Sequence, residues 1–202
     1  MEKSIILLFL ITGLASMSCN RISVVDGANY IKYIDNPDNG LIQEYVDKEK
    51  SLKLVSQYKT PEYLAIKEVG PTNFDSDSVL NLSKEFTGGY HFSFNILSTE
   101  SGYDVIKGKL SPKEYLSRIT HMSGEIKNDF KLLIGSDTIP CSICHFERTY
   151  NISPDNILML VFPFEKTTDE DLQLLYDDKL FGIGKVSLTF KNKNIKNTPK
   201  LL

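Results

Sequence analysis

A short stretch near residue 140 carries the residue types best suited to redox or cofactor chemistry. It reads Cys141-Ser-Ile-Cys144-His145. In this C-x-x-C-H spacing, the two thiols can bond to the vinyl groups of a haem while the histidine ligates the iron. Met159 lies downstream and is a candidate for the second axial ligand. One hypothesis is therefore covalent haem attachment at Cys141, Cys144 and His145.

The residues around this stretch predict a strand, whereas covalent haem motifs usually lie on a helix. Residues 138–150 alternate in polarity, and Pro140 directly precedes Cys141. A strand rises about 3.3 Å per residue, so Cys141 and Cys144 would lie about 10 Å apart on opposite faces. A disulfide needs two Cα atoms within about 7 Å. The competing prediction is therefore two separately buried thiols, with neither a disulfide nor a thioredoxin-like dithiol.

The remaining polar residues predict no metal ion, no cofactor and no catalytic group. The histidines are His91, His121 and His145, and no two of them have the spacing of a zinc-binding helix. The acidic segments 169–171 and 177–178 are expected to be solvated loops. No nucleophile elbow, phosphate-binding loop or dinucleotide-binding glycine pattern is present. A hydrolase whose catalytic groups the sequence does not reveal is a third hypothesis.

Composition places the chain among ordinary globular proteins. Its 202 residues are 41% apolar and 24% charged, and the net charge is −3. Basic residues form no stripe, so nucleic acid is not an expected partner. A chain of this size can bury a core without metals or disulfides.

Alternating polarity predicts the strands that must hold these residues. The clearest strand is Gly89–Ser98, in which Tyr90, Phe92, Phe94 and Ile96 share one face. Other strands are predicted over residues 41–46, 51–58, 130–134, 138–150, 157–162, 172–176 and 186–190.

Two helix starts carry capping signals. Thr60-Pro61 predicts a helix that Gly70 ends. The segment Ser111-Pro-Lys-Glu114 is a capping box, and it predicts the longest helix, with an apolar stripe through residue 126. A further short helix is predicted over residues 79–86.

The order of these elements is hairpin, helix, strand, long helix and then four or five strands. It predicts an α+β fold with a largely antiparallel sheet, one long helix and one or two short helices. The alternative is a β-sandwich with inserted helices. Residues 191–202 are expected to be a basic tail with little structure.

The first twenty residues carry the most specific pattern in the chain. Lys3 precedes an apolar run from Ile5 to Ala15, and small residues follow it. A basic start, about ten apolar residues and small residues before a cut site define a secretory signal. The run is too short to span a bilayer, which needs roughly 20 apolar residues. Export from the cytoplasm is therefore expected.

With Cys19 at the predicted cut, this segment resembles the signal of bacterial lipoproteins. In that family the residue after the cut is a cysteine whose sulfur carries a diacylglyceride. Ser18 fits the family pattern, whereas Ser16 and Met17 depart from its usual residues. The resemblance implies that acyl chains such as palmitate are attached at Cys19, and two or more such chains anchor a protein stably.

The resemblance also implies a place in the cell. Asn20 follows the cysteine, where many lipoproteins kept at the inner membrane have Asp, so the outer membrane facing the periplasm is expected. The leading hypothesis is a non-enzymatic binding or structural module of the cell envelope. Its partners would be the membrane, through Cys19, and an envelope protein; a c-type haem electron carrier is the alternative. The expected organisation is a signal peptide over 1–18, a lipidated tether over 19–40 and one α+β domain over 41–202.

Overall fold

The structure of the protein, a computed structural model, describes residues 24–70, 75–100, 102, 104–147, 156–163 and 168–202. The strands within these ranges are β1 (Val24–Val25), β2 (Ile42–Asp47), β3 (Leu52–Lys59), β4 (Gly89–Ser98), β5 (Phe130–Ile134), β6 (Asp137–Pro140), β7 (Ile143–Glu147), β8 (Asn156–Pro163), β9 (Leu172–Asp177), β10 (Lys185–Phe190) and β11 (Lys200–Leu201). The α-helices are α1 (Gly27–Ile34), α2 (Pro61–Val69), α3 (Ser76–Ser83), α4 (Pro112–Ser123) and α5 (Asn192–Lys196).

Nine of the strands form two antiparallel sheets. The five-stranded sheet has the order β2-β3-β4-β8-β7, and the four-stranded sheet has the order β10-β9-β5-β6. The short strands β1 and β11 pair in parallel and form a separate two-stranded sheet. The predicted α+β class with largely antiparallel sheets is confirmed.

The two larger sheets pack on each other through aromatic side chains. The ring centroid of Phe94 on β4 lies 4.9 Å from that of Phe130 and 5.2 Å from that of Tyr176, both on the four-stranded sheet. Phe92 contacts Phe190 in the same way, at 5.1 Å. The inward faces of β3, β4, β8, β9 and β10 alternate with half-exposed outward faces, as period-two patterns require. The aromatic face of β4 is therefore core and is not a binding surface.

The capping signals predicted the helix starts correctly. Thr60 caps α2, and Ser111 and Glu114 form the capping box of α4. Helix α4 has 12 residues, however, because the chain turns at Gly124 into a 3-10 helix over Glu125–Asp129. The prediction of one long helix is therefore wrong: α4 has an ordinary length of about three turns. In the described ranges, no helix combines the length and apolar character needed to cross a membrane.

Both ends of the described chain belong to the fold, which corrects two predictions. Asp26 caps α1, and α1 buries Tyr30 and Ile34 completely. The domain therefore includes residues from Val24 onward, and the predicted boundary at residue 41 is too late. The expected basic tail over 191–202 instead forms α5 and β11, and Leu201 packs against the core.

The single strand predicted over 138–150 is also wrong. Strand β6 ends at Pro140 in the four-stranded sheet, and β7 begins at Ile143 in the five-stranded sheet. Cys141 and Ser142 carry the chain from one sheet to the other. Residues 148–150 of the predicted strand lie outside the described residues.

The two packed sheets have two distinct ends. At the end where β3 finishes, Tyr30 Oη of α1 and Thr60 Oγ1 of the α2 cap are hydrogen-bonded at 2.8 Å, and α5 follows β10. We call this the helical end. At the opposite end, where β3 begins at Leu52, the loops 104–110 and 178–184 meet. We call this the loop end.

Candidate functional site

The cysteines of the C-x-x-C-H stretch lie at the crossing between the two sheets. The Cys141 thiol is buried and donates to the carbonyl oxygen of Ile143 at 3.1 Å and more weakly to that of Val161 at 3.7 Å. The backbone N–H of Ser142 donates to the same Val161 oxygen at 2.9 Å. These bonds hold the crossing against β8.

Burial makes both thiols poor nucleophiles. Desolvation raises the pKa of Cys141 to about 11 and that of Cys144 to about 12. Both cysteines are free thiols. Near neutral pH they are therefore protonated, and they lack the thiolate that metal binding and disulfide exchange require.

Strand alternation separates the thiol of Cys144 from the imidazole of His145. Cys144 and Phe146 pack towards the core, whereas His145 is exposed on the outer face of β7. A haem bonded to Cys144 would lie on one face of this strand and the ligating histidine on the other. The stretch therefore does not fit covalent haem attachment, and the sequence match arises from spacing alone.

The other two histidines have local structural partners. His91 Nε2 is 2.9 Å from the carbonyl oxygen of Phe86, and burial lowers the pKa of His91. His121 Nε2 lies 2.6 Å from Asp129 Oδ2, and this pair ties α4 to the start of β5. Throughout the described part of the chain, no group of three His, Cys, Asp or Glu side chains is placed to hold a metal ion.

A cavity of about 240 Å³ on the outer face of the four-stranded sheet brings two carboxylates together. Asp129 and Asp177 both line it. His121 does not line this cavity, and Asp177 is ion-paired with Lys179 at 2.8 Å. The imidazole of His121 contacts Asp129 but does not face the cavity, so this cavity does not support the hydrolase hypothesis.

A second cavity lies at the loop end, and we call it the loop-end cleft. It has a volume of about 220 Å³. Its lining comes from the β2–β3 turn, the loop 104–110, helix α4 and the loop 178–184: Lys50, Leu52, Val105, Gly108, Lys109, Leu110, Arg118, Leu180 and Phe181.

Arg118 joins three of these four segments. Its Nη1 donates to the carbonyl oxygens of Val105 at 2.8 Å and Ile106 at 3.4 Å, and its Nη2 donates to that of Leu180 at 3.0 Å. The guanidinium also lies 5.0 Å from the ring centroid of Phe181. The planar, forked guanidinium of arginine can donate from two nitrogens to carbonyl oxygens on two different loops. The single ammonium group of lysine could not reproduce this geometry. Arg118 is therefore a clamp that sets the shape of the cleft.

A buried carboxylate shapes the opposite wall. Asp178 Oδ1 accepts hydrogen bonds from the N–H groups of Leu180 at 2.8 Å and Phe181 at 3.1 Å, and Oδ2 accepts from that of Ile183 at 2.9 Å. The hydroxyl of Tyr176 donates to the same carboxylate at 3.0 Å. The loop therefore turns around one side chain, which is the usual role of Asp in an Asx turn.

The chemical character of the cleft suits binding better than catalysis. Leu52 and Val105 form a buried apolar floor, whereas Lys50 and Lys109 are exposed at the mouth. The described lining residues include no carboxylate, histidine or hydroxyl that would act as a general base or nucleophile. An apolar group that carries a negative charge fits this arrangement.

The first testable prediction concerns the two thiols. At pH 8, a thiol with a pKa of 11 is about one part in a thousand thiolate, against about one quarter for an unperturbed cysteine. We expect iodoacetamide to modify Cys141 and Cys144 at least about 100-fold more slowly in the folded protein than in urea. The folded-state rate should rise with pH up to about 11. Peptide mass spectrometry measures each site, and equal rates in the two states would contradict the burial.

The second prediction concerns the clamp. Replacing Arg118 by Lys keeps the charge but removes the fork, so we expect a loss of about 1–2 kcal/mol in the free energy of unfolding. Hydrogen exchange should accelerate in both cleft loops, 104–110 and 178–184. The matched control is Lys113→Ala, an exposed position on the same helix. Unchanged exchange in both loops would show that Arg118 does not hold them.

Comparison with protein-family models, with curated proteins and with solved structures found no significant match to this chain.

Proposed function

We propose that this protein is a lipid-anchored component of the bacterial cell envelope that binds a partner without transforming it. The proposal rests on the N-terminal sequence, in which a basic residue, an apolar run and small residues precede Cys19. Lipid on Cys19 would hold the folded domain at a membrane surface, with the periplasmic face of the outer membrane as the proposed location.

The loop-end cleft supports the binding part of the proposal. Its exposed lysines, Lys50 and Lys109, attract an anionic group, and its floor accepts an apolar one. A volume of about 220 Å³ lies below the usual range for drug-sized ligands, about 300–1,000 Å³, and suits one or two side chains. We therefore propose that the partner is an envelope protein that presents an acidic residue beside an apolar side chain.

The position of the cleft also supports this arrangement. Val24 lies five residues after Cys19 and belongs to the two-stranded sheet that packs beside α1. Strand β4 has ten residues and so spans about 33 Å between the two ends. Anchoring at Cys19 would leave the cleft at the far end, where a partner can reach it.

The third prediction tests the anchor. The full-length protein is expressed in a bacterium able to attach haem c, and the membrane fraction is analysed by intact mass spectrometry. We expect a mass that fits cleavage before Cys19 plus lipid, with no haem, and release from the membrane in Cys19→Ser. A haem mass that disappears in Cys141→Ala would favour an electron carrier instead.

The fourth prediction tests the cleft. A photo-crosslinking amino acid in place of Leu110 should yield discrete adducts with an envelope protein in cells. Reversal of charge in the double variant Lys50→Glu/Lys109→Glu should abolish them, because the attraction to an acidic partner becomes repulsion. The control places the same crosslinker at Leu116, which is exposed on α4 but does not line the cleft. Adducts that survive charge reversal would contradict a role for the cleft.

A further inference from the structure

The two-stranded sheet at the helical end has one face buried and one face open. Val24 lies beside Lys200, and Val25 lies beside Leu201. Val25 and Leu201 pack against the core, whereas Val24 is 54% exposed and Leu202 is 67% exposed. The N–H of Leu202 donates to the carbonyl oxygen of Val25 at 3.0 Å, so the pairing continues to this residue. We call the open surface of Val24, Lys200 and Leu202 the β1–β11 face.

Two exposed apolar side chains flanking a lysine make an amphipathic surface. Such a combination suits the boundary between lipid headgroups and acyl chains, where apolar groups insert shallowly and lysine meets phosphate. Single exposed apolar residues are common in proteins. Two of them on one small surface are better accommodated by contact with lipid than by exposure to water.

The charges around this face are not all neutralised within the protein. Lys191 pairs with Asp171 at 2.7 Å, and Lys196 pairs with Asp169. Lys193 of α5 interacts with Asp171 only beyond ion-pair distance, and Lys200 of β11 forms no ion pair with another described residue. Both lysines are exposed. Positive charge near the point where the chain leaves for Cys19 therefore remains available to an anionic surface.

The length of chain between Cys19 and Val24 restricts where a membrane can lie. Five residues span at most about 18 Å when fully extended. If Cys19 carries lipid, the bilayer surface lies within that distance of Val24. The tether therefore keeps the surface around Val24 close to the membrane.

We infer that the β1–β11 face rests on the lipid surface, with Val24 and Leu202 at the headgroup boundary and Lys200 against anionic phospholipid headgroups. This inference rests on the proposed lipidation of Cys19. It goes beyond anchoring because it fixes the orientation of the domain: the helical end faces the bilayer and the loop-end cleft faces away from it.

The chain contains no Trp, so a single introduced Trp reports its own surroundings without background. Leu202→Trp is prepared in the full-length lipidated protein and reconstituted into vesicles of phosphatidylethanolamine and phosphatidylglycerol with brominated acyl chains. Insertion of about 5–10 Å should bring this Trp within reach of bromine and reduce its fluorescence at least about twofold. The control is Leu116→Trp, since Leu116 is equally exposed, at 65%, but lies on α4 near the loop end. Equal quenching at the two positions, or none at either, would overturn the inference.

Two further measurements on the same preparation distinguish the contribution of the Lys200 charge from that of the lipid on Cys19. Adding Lys200→Glu to Leu202→Trp should reduce the quenching in vesicles that contain phosphatidylglycerol, and unchanged quenching would overturn the role of the lysine. An intact mass spectrum shows whether Cys19 is lipidated. If the protein is lipidated but the Trp is not quenched, only the contact of the β1–β11 face with the bilayer is overturned. If Cys19 carries no lipid, the proposed anchoring is overturned as well. A fluorescence shift that depends on protein concentration and occurs without quenching would assign the face to a second copy of the chain.

Discussion

The contact of Phe94 with Phe130 and Tyr176 is the interaction on which the rest of the structure depends. The three rings join the centre of the five-stranded sheet to the four-stranded sheet, and Phe130 and Tyr176 stack at 4.9 Å. Aromatic pairs of this kind add to the free energy gained by burial alone. Tyr176 also reaches out of the core, because its hydroxyl donates to Asp178 at the start of the loop 178–184. The core thereby positions one wall of the loop-end cleft, and burial beside that carboxylate raises the pKa of Tyr176 well above its usual value.

Much of the fold could be predicted because two local signals are strong in this sequence. Alternating polarity located β4 to the residue, and it located β9 and β10 to within one residue at each end. Capping residues located the starts of α2 and α4. Alternation tells which face of a strand is buried, but it does not tell which sheet the strand joins. This is why residues 138–150 were predicted as one strand, although Pro140 and the crossing at Cys141 divide them between two sheets.

Three short elements at the helical end, β1, α5 and β11, were missed for a different reason. Strands β1 and β11 have two residues each, and α5 has five, so none is long enough to show a period. They are held by contacts between distant parts of the chain, such as the bond from Tyr33 Oη to the carbonyl oxygen of Asn197 at 3.2 Å. Such contacts leave no local pattern in the sequence. Gly182 and Gly184, both with φ of +73°, allow the left-handed backbone that the loop 178–184 adopts.

The candidate site also depends on contacts between distant parts of the chain, which the sequence does not reveal. The C-x-x-C-H spacing pointed to a site because its residues are close in sequence, yet strand geometry directs Cys144 and His145 to opposite faces. The loop-end cleft could not be predicted, since its lysines are 59 residues apart in the chain, at positions 50 and 109. A clamp such as Arg118 is recognisable only once its acceptors, the carbonyl oxygens of Val105 and Leu180, are seen together.

If Cys19 is lipidated, the placement of Val24 and the loop-end cleft at opposite ends has a physical consequence for the proposed partner. Aromatic packing joins the two sheets between these ends, and β4 alone spans about 33 Å of that distance. With the β1–β11 face resting on the bilayer, as proposed, the cleft would lie about this far from the lipid surface. On the proposed anchoring, a partner embedded in that membrane would need a domain that extends beyond the lipid headgroups. A soluble periplasmic protein, or one held on the opposing membrane or the cell wall, could reach the cleft directly, and attraction between its acidic group and Lys50 and Lys109 would guide the encounter.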